Sequence, residues 1–244
     1  MSTPLEATIE ILADPDALAQ CVADWLLRSS SSADGVFSIA LSGGSTPRRL
    51  YRLLAQSPYR EAFPWARTHL FWGDERYVPH DDPLSNYRMV NEALLSQVPI
   101  PRTNIHPVPV AGRGPDEAAS AYQGDLEAFY GAIAFDPAKP LFDVVLLGLG
   151  GDGHTASLFP GTAVLQERKR WVAAVVGAKS EARITLTYPA LESSLHAAFL
   201  LEGSDKTALF QRVRGGDDSL PATRLRPQGE LRWFLDRAAA GAVS

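Results

Sequence analysis

The sequence predicts an α/β sandwich built on a mostly parallel sheet. Two observations carry this. Near-continuous apolar runs, such as Val36–Leu41 and Phe142–Leu149, read as strands buried on both faces, as parallel sheets require. These runs alternate with segments of helical period, the order that places helices over a sheet. The chain of 244 residues is long enough for one large domain or two small ones, and no clean linker divides it, so one domain over residues 1–244 is expected.

The elements follow in order. Asp14-Pro15 reads as a helix cap followed by proline at the first helical position. Leu18, Val22, Trp25 and Leu26 then recur at helical spacing, so a helix is predicted over 14–30, ended by Ser30–Ser32 and Asp34-Gly35. Val36–Leu41 is a strand that runs into Ser42–Pro47, and Thr46-Pro47 starts a helix carrying Leu50, Leu53 and Leu54. His69–Trp72 is a strand; 85–97 and 115–132 are helices; Phe142–Leu149 is a strand. Further strands are predicted at 171–177, 183–187 and 196–202, and a helix at 204–214. The proline-bearing stretch 101–116 reads as a surface connection.

Composition narrows the function. Hydrophobic residues make up 45% and charged residues 21%, as in an ordinary soluble domain. The net charge is −5, which disfavours nucleic acid as a partner, because that needs a basic face. No apolar run approaches the roughly 18 residues of a membrane helix, so no membrane partner is expected. Met1–Glu6 has no secretory pattern and Cys21 is the single cysteine, which together suit a cytoplasmic protein. Cys21 falls near the apolar face of the first helix and reads as packing. Monomer and homodimer are equally open.

In parallel sheets ligands bind beyond the carboxyl ends of the strands. Three polar loops fall there: 42–48, 73–79 and 148–157. In the first, Gly43 and Gly44 admit close backbone approach, and Ser45 and Thr46 add hydroxyls at a helix start, a combination suited to phosphate. A tight turn with no ligand would look the same. The loop lacks the lysine of a nucleotide P-loop and the Gly-x-Gly-x-x-Gly spacing, which disfavours ATP and dinucleotides. In the second, Asp74, Glu75 and Arg76 follow an apolar strand directly; they face either a crevice or solvent. In the third, Asp152 and His154 stand two residues apart in a glycine-rich path, and a histidine is a natural general base near neutral pH. His69, His80, His106 and His196 lack such a setting. Paired-histidine spacing is absent, so no metal site is expected. Arg183 and Lys206 are isolated cations that gain meaning only beside these loops.

Together the segments Ser-Gly-Gly-Ser-Thr-Pro at 42–47, Trp-Gly-Asp-Glu-Arg-Tyr-Val-Pro at 72–79, Ser-Asn-Tyr-Arg at 85–88, Gly148–Pro160, Arg-Ile-Thr-Leu-Thr at 183–187 and Trp233–Asp236 resemble the 6-phosphogluconolactonase family over nearly the whole chain. The resemblance implies a modified Rossmann-like sandwich of the kind found in glucosamine-6-phosphate deaminase and ribose-5-phosphate isomerase. It implies hydrolysis of a sugar-phosphate lactone without a cofactor, within the pentose phosphate pathway. By position, His154 is the implied base; Arg183, Lys206 and the 43–46 loop are implied phosphate and sugar contacts; Asp74 and Arg76 are implied crevice residues; Asp152 or Asp74 orients the imidazole. Deaminase relatives carry a glutamate five residues after that histidine, where this chain has Phe159.

Overall fold

The computed structural model describes residues 7–241 other than 111 and 113. The amino-terminal reading of residues 1–6 and part of the 101–116 connection lie outside the described residues. The elements run β1 (Thr8–Leu12), α1 (Pro15–Ser32), β2 (Phe37–Leu41), α2 (Ser45–Leu54), α3 (Tyr59–Ala62), β3 (Thr68–Trp72), β4 (Asp74–Arg76), α4 (Asn86–Val90), β5 (Ile105–His106), α5 (Pro115–Tyr130) and β6 (Phe142–Leu147). They continue with β7 (Val172–Val175), β8 (Arg183–Leu186), α6 (Tyr188–Glu192), β9 (Ser194–Leu201), α7 (Thr207–Arg214), β10 (Glu230–Asp236) and α8 (Arg237–Ala240).

Seven strands form a parallel sheet in the order β1-β10-β9-β6-β2-β3-β5. The central strands are largely buried, as their near-continuous apolar sequence requires: all five residues of β2 are buried, Ser38 included. Phe71, Phe142, Phe199 and Phe234 are fully buried in one core that also takes in Val172 and Ile184 of the second sheet.

The second sheet corrects an expectation. The strands predicted at 171–177 and 183–187 are not in the parallel sheet. With β4 they make an antiparallel sheet in the order β4-β8-β7. The chain crosses from one sheet to the other at Gly73, whose N–H donates to Leu41 O of the first sheet at 2.8 Å and whose carbonyl accepts from Leu186 N of the second at 2.9 Å. A Cβ there would stand 3.3 Å from Leu41 O, so glycine suits the crossing. The 73–79 segment is therefore partly strand rather than loop.

Other boundaries moved for local reasons. Helix α1 runs through Ser30–Ser32 instead of ending there, because their hydroxyls donate back to the carbonyls of Leu27 and Arg28 within the last turn. The helix predicted over 85–97 begins at the Ser85 cap and widens to a π turn over Asn91–Leu95. The 204–214 helix opens with a tight 3₁₀ turn over Ser204–Lys206. The 101–116 connection contains the edge strand β5. Cys21 is half-buried at the rim of the core, its Sγ 3.3 Å from Glu10 Oε2. Among the described residues no helix is long and apolar enough to cross a membrane.

Candidate active site

Strand order dictates where a crevice forms. From β2 the chain moves outward to β3, whereas β6 leads to β9 on the other side, so the loops after β2 and β6 diverge. Such a switch point leaves an open cleft beyond the carboxyl ends. A cleft of about 250 Å³ lies there.

One wall is the start of α2. Gly44 takes φ +109°, closed to most side chains, and caps the helix without a side-chain bond. The first-turn N–H groups thus lack a side-chain acceptor and present the positive end of the helix to the cleft, beside Ser45 and Thr46. Gly43 is packed so closely on Asn86 that a Cβ would come within 2.6 Å of its Cγ. Lys206 lines the same cleft, with Nζ 3.2 Å from Asp205 Oδ2.

The opposite wall carries the histidine. The path from Gly150 to His154 closes on itself: Gly150 N donates to His154 O at 2.8 Å and Gly153 N to Gly150 O at 2.9 Å. His154 Nδ1 pairs with Asp152 Oδ1, and Lys179 Nζ lies 3.4 Å from Asp152 Oδ2. Burial works to raise the Asp152 carboxyl, yet its bonds to His154 and Lys179 hold it at about 2. Phe159 is buried with its ring 4.6 Å from the imidazole, centre to centre, and Lys179 Nζ stands 5.1 Å from the centroid of the same ring. Ala156, at φ +47°, also lines the cleft, a left-handed conformation uncommon for alanine.

The second sheet supplies the floor. Asp74 Oδ2 accepts from Ser157 Oγ at 2.6 Å, and Asn86 Nδ2 donates to Asp74 O at 2.9 Å. Of the two carboxylates that could orient the imidazole, Asp152 is the one in contact with it. Arg76 lines the cleft and is anchored through Nη1 to Leu84 O at 2.6 Å. Between them Glu75 points the other way into the protein, 1% exposed. It accepts from the N–H groups of Arg76, Asn86 and Tyr87, each at 2.7 Å, and from Ser85 Oγ at 3.1 Å. Burial raises its carboxyl despite these donors.

Of the residues singled out from sequence, Gly43, Gly44, Ser45, Thr46, Asp74, Arg76, His154 and Lys206 line the cleft. Asp152 stands behind His154 rather than on the wall. Arg183 is not on the wall either. It lies opposite Arg76 in the β4–β8 ladder and donates to Glu181 O at 3.0 Å. Its guanidinium is held below the usual arginine range by burial first and by Arg76 second. Sequence reasoning gave no role to Asn86, Glu202 or Lys179. Asn86 stood in a quoted motif, but the charges of Glu202 and Lys179 looked like any surface charge. Among the described residues no three His, Cys, Asp or Glu converge as a metal site.

Comparison with known proteins agrees with this architecture. Residues 13–233 match the family model described as glucosamine-6-phosphate isomerases/6-phosphogluconolactonase. The chain is 41% identical to a 6-phosphogluconolactonase of a Nostoc species, over 98% of this chain and 100% of that one. It superposes on the crystal structure of 6-phosphogluconolactonase from Thermotoga maritima with a TM-score of 0.80 at 31% identity, covering 95% of this chain and 100% of that one. The fold is also that of a monomeric glucosamine-6-phosphate deaminase, at TM-score 0.80 and 18% identity, over 96% of this chain and 98% of that one. The chain belongs to the glucosamine-6-phosphate isomerase/6-phosphogluconolactonase family.

Proposed function

We propose that this protein is a 6-phosphogluconolactonase, a carboxylic ester hydrolase that opens 6-phospho-D-glucono-1,5-lactone to 6-phospho-D-gluconate. The 41% identity to a relative of that name along its whole length supports the substrate. The observation that carries the chemistry is the imidazole of His154, held by Asp152 on one edge and covered by the apolar Phe159 ring. The resemblance expects a glutamate at position 159 in a deaminase. A phenylalanine there cannot shuttle protons between carbon and ring oxygen, whereas lactone hydrolysis needs only one base and an oxyanion partner.

In this reading the phosphate docks at the start of α2, among the N–H groups of 43–46, with Lys206. C1 then lies toward His154. The imidazole takes a proton from water as its oxygen bonds to C1. The tetrahedral oxyanion is stabilised by Arg76 or by loop N–H groups. Collapse breaks the bond from C1 to the ring oxygen, and His154 returns the proton to that oxygen. One water is consumed and the step balances without a cofactor. Asp152 holds the ring in place and favours the imidazolium formed midway. Arg183, expected from the resemblance beside the phosphate, lies instead across the β4–β8 ladder from Arg76, where it adds a second positive charge behind that side chain. The protein acts as one domain in the oxidative pentose phosphate pathway, in the cytoplasm; the Arabidopsis thaliana relative is named chloroplastic.

The test is hydrolysis of freshly made 6-phosphogluconolactone, corrected for spontaneous opening. His154→Ala is expected to lower kcat by about 10²–10⁴-fold, the usual contribution of a general base, with an unchanged circular dichroism spectrum. A wild-type protein that does not accelerate opening, or releases ammonia from glucosamine 6-phosphate, refutes the proposal.

A further inference from the structure

The histidine loop contains a strained turn. Leu158 N donates to Thr155 O at 2.9 Å, closing Thr155–Leu158 into a β-turn. Its first central residue is Ala156 at φ +47°. Among the described residues Ala156 is the one non-glycine with positive φ, so the φ of Ser157 after it is negative. That combination is a type II′ turn, whose first central position is a glycine position. Strain of this kind persists only where the surroundings fix it, and it collects at active sites. Here the fixing contacts are plain. Ser157 N donates to Thr185 Oγ1 at 3.1 Å, and Ser157 Oγ to Asp74 Oδ2 at 2.6 Å. Asp74 and Thr185 face each other in the β4–β8 ladder, so the turn is pinned at one point of the second sheet.

The pinned turn carries a donor with no acceptor. Thr155 O is engaged inside the turn, and across a trans peptide the N–H of Ala156 points the opposite way. That N–H donates to no described residue. Thr155 and Leu158 are 0% exposed and Ser157 1%, so the surface this turn offers is that of Ala156. Ala156 lines the cleft two residues after His154. Backbone N–H groups are normally paired, and one at the cleft beside the base calls for an acceptor. Addition of water to a lactone creates one, the oxygen of the C1 carbonyl. Arg76 is the rival donor, but it is a long side chain whose Nη1 already donates to Leu84 O at 2.6 Å. A backbone donor pinned through Ser157 needs no rearrangement as charge develops, the condition for strong oxyanion stabilisation.

We infer that the backbone N–H of Ala156 is the oxyanion donor of the reaction, held toward C1 by a strained turn that Ser157 pins to the second sheet. This rests on the lactonase reading. As the water oxygen bonds to C1 and its proton passes to His154, the π pair of the C1 carbonyl moves onto its oxygen, which accepts from Ala156 N–H. The pair returns as the bond from C1 to the ring oxygen breaks, and the ring oxygen takes the proton from His154.

Two measurements test this. In the first, 6-phosphogluconate is titrated into isotope-labelled wild type and amide protons are followed by NMR. The carboxylate of that product is C1 with the former carbonyl oxygen, so the Ala156 amide proton should move downfield on gaining a charged acceptor. An unmoved Ala156 amide, while those of Ser45 and Thr46 respond, overturns the inference. In the second, Ala156 is replaced by lactic acid, an amide-to-ester change that removes this N–H and keeps the methyl group. Loss of one oxyanion donor should lower kcat by about 10²–10³-fold and leave KM within about threefold. The control is the same ester change at Gly151, which is exposed outside the cleft and whose N–H also donates to no described residue. Wild-type turnover in the Ala156 ester overturns the inference, and so does an equal fall in the Gly151 ester. The titration needs no variant, so it decides even where the ester protein does not fold. A wild type that opens the lactone with its Ala156 amide unmoved removes Ala156 alone. A wild type that does not open it removes the lactonase reading as well.

Discussion

Gly150→Ala separates the fold from the chemistry. Gly150 does not need a left-handed backbone, so alanine is tolerated by its own dihedral angles. What stands in the way is the His154 ring: the new Cβ would overlap it and reach even the far Nε2 at 2.6 Å. Carbon and nitrogen in ordinary contact need about 3.5–4.0 Å, so the imidazole must move by about 1 Å or more. That movement breaks the contact with Asp152 and takes Nε2 from the attacking water. A misplacement of about 1 Å costs a reaction about 10²-fold, or about 2.7 kcal/mol of barrier. We expect kcat for lactone hydrolysis to fall by about that factor. KM should change little, because the phosphate wall of the cleft is untouched. The adjacent Gly151→Ala is the control: no heavy atom lies within 4 Å of its Cβ position, so kcat should stay within about twofold. The assay is steady-state hydrolysis of the fresh lactone, with thermal unfolding to show both variants folded. Wild-type turnover in Gly150→Ala would refute the placement of the base, and so would an equal fall in Gly151→Ala.

Two other perturbations address the scaffold. Glu75→Ala leaves three backbone N–H groups and the Ser85 hydroxyl without their acceptor, at about 1 kcal/mol each, so we expect about 4 kcal/mol of destabilisation and a melting temperature lower by roughly 8–16 °C. An unchanged melting temperature would show that water replaces the carboxylate. Acid should weaken the β3–β5 edge, where burial first and His69 second hold His106 at about 4, against 6.5 in the unfolded chain. Between those values the unfolded chain binds the extra proton, so stability falls as pH drops from 6.5 to about 4 and then levels off. The full difference corresponds to about 3.4 kcal/mol, and partial exposure reduces this to about 1–2 kcal/mol. Urea midpoints at about pH 7 and about pH 4.5 should record that loss in wild type but not in His106→Gln; equal losses in both would assign it to other groups.

The sequence showed most plainly what repetition and burial write into it. Strands β2, β3 and β6 are near-continuous apolar runs, broken only by Ser38, by Thr68 and His69, and by Asp143, and they were readable within one or two residues. Strand β1 was not, since its pattern Thr8-Ile9-Glu10-Ile11-Leu12 lies at the sheet edge with Ile9 and Ile11 exposed, and nothing in such a stretch demands a strand. The two-residue β5 is too short to carry a period. Nor could composition distinguish β7 and β8 from the parallel strands, because pairing partners are a property of the fold. The same limit applied in the site. Asp152 and His154 stand two residues apart, which made Asp152 a candidate partner of the imidazole but did not separate it from Asp74; the contact itself is a matter of the folded loop. Lys179 reaches Asp152 across 27 residues, and Glu75 and Glu202 differ from surface glutamates only in what surrounds them.

The two sheets divide the labour of the cleft. From the parallel sheet come the start of α2, after β2, and Glu202 and Lys206, after β9. From the antiparallel sheet come Asp74 and Arg76 on β4. The same sheet steadies the histidine loop at both ends: Thr185 on β8 accepts from Ser157 N at 3.1 Å, and Lys179 in the β7–β8 turn meets Asp152. The loop itself leaves β6 of the parallel sheet, so His154 is tied to both. Under the proposed function, substrate grip and base placement would then draw on different layers joined at Gly73. A net charge of −5 is no obstacle to an anionic substrate in such an arrangement. Asp74 on the cleft wall accepts from Ser157 of the histidine loop, and Asp152 behind the imidazole accepts from Lys179 of the β7–β8 turn, while the helix start and Lys206 also line the cleft. What the ligand meets is the local field of those groups, which the sum over the chain does not describe.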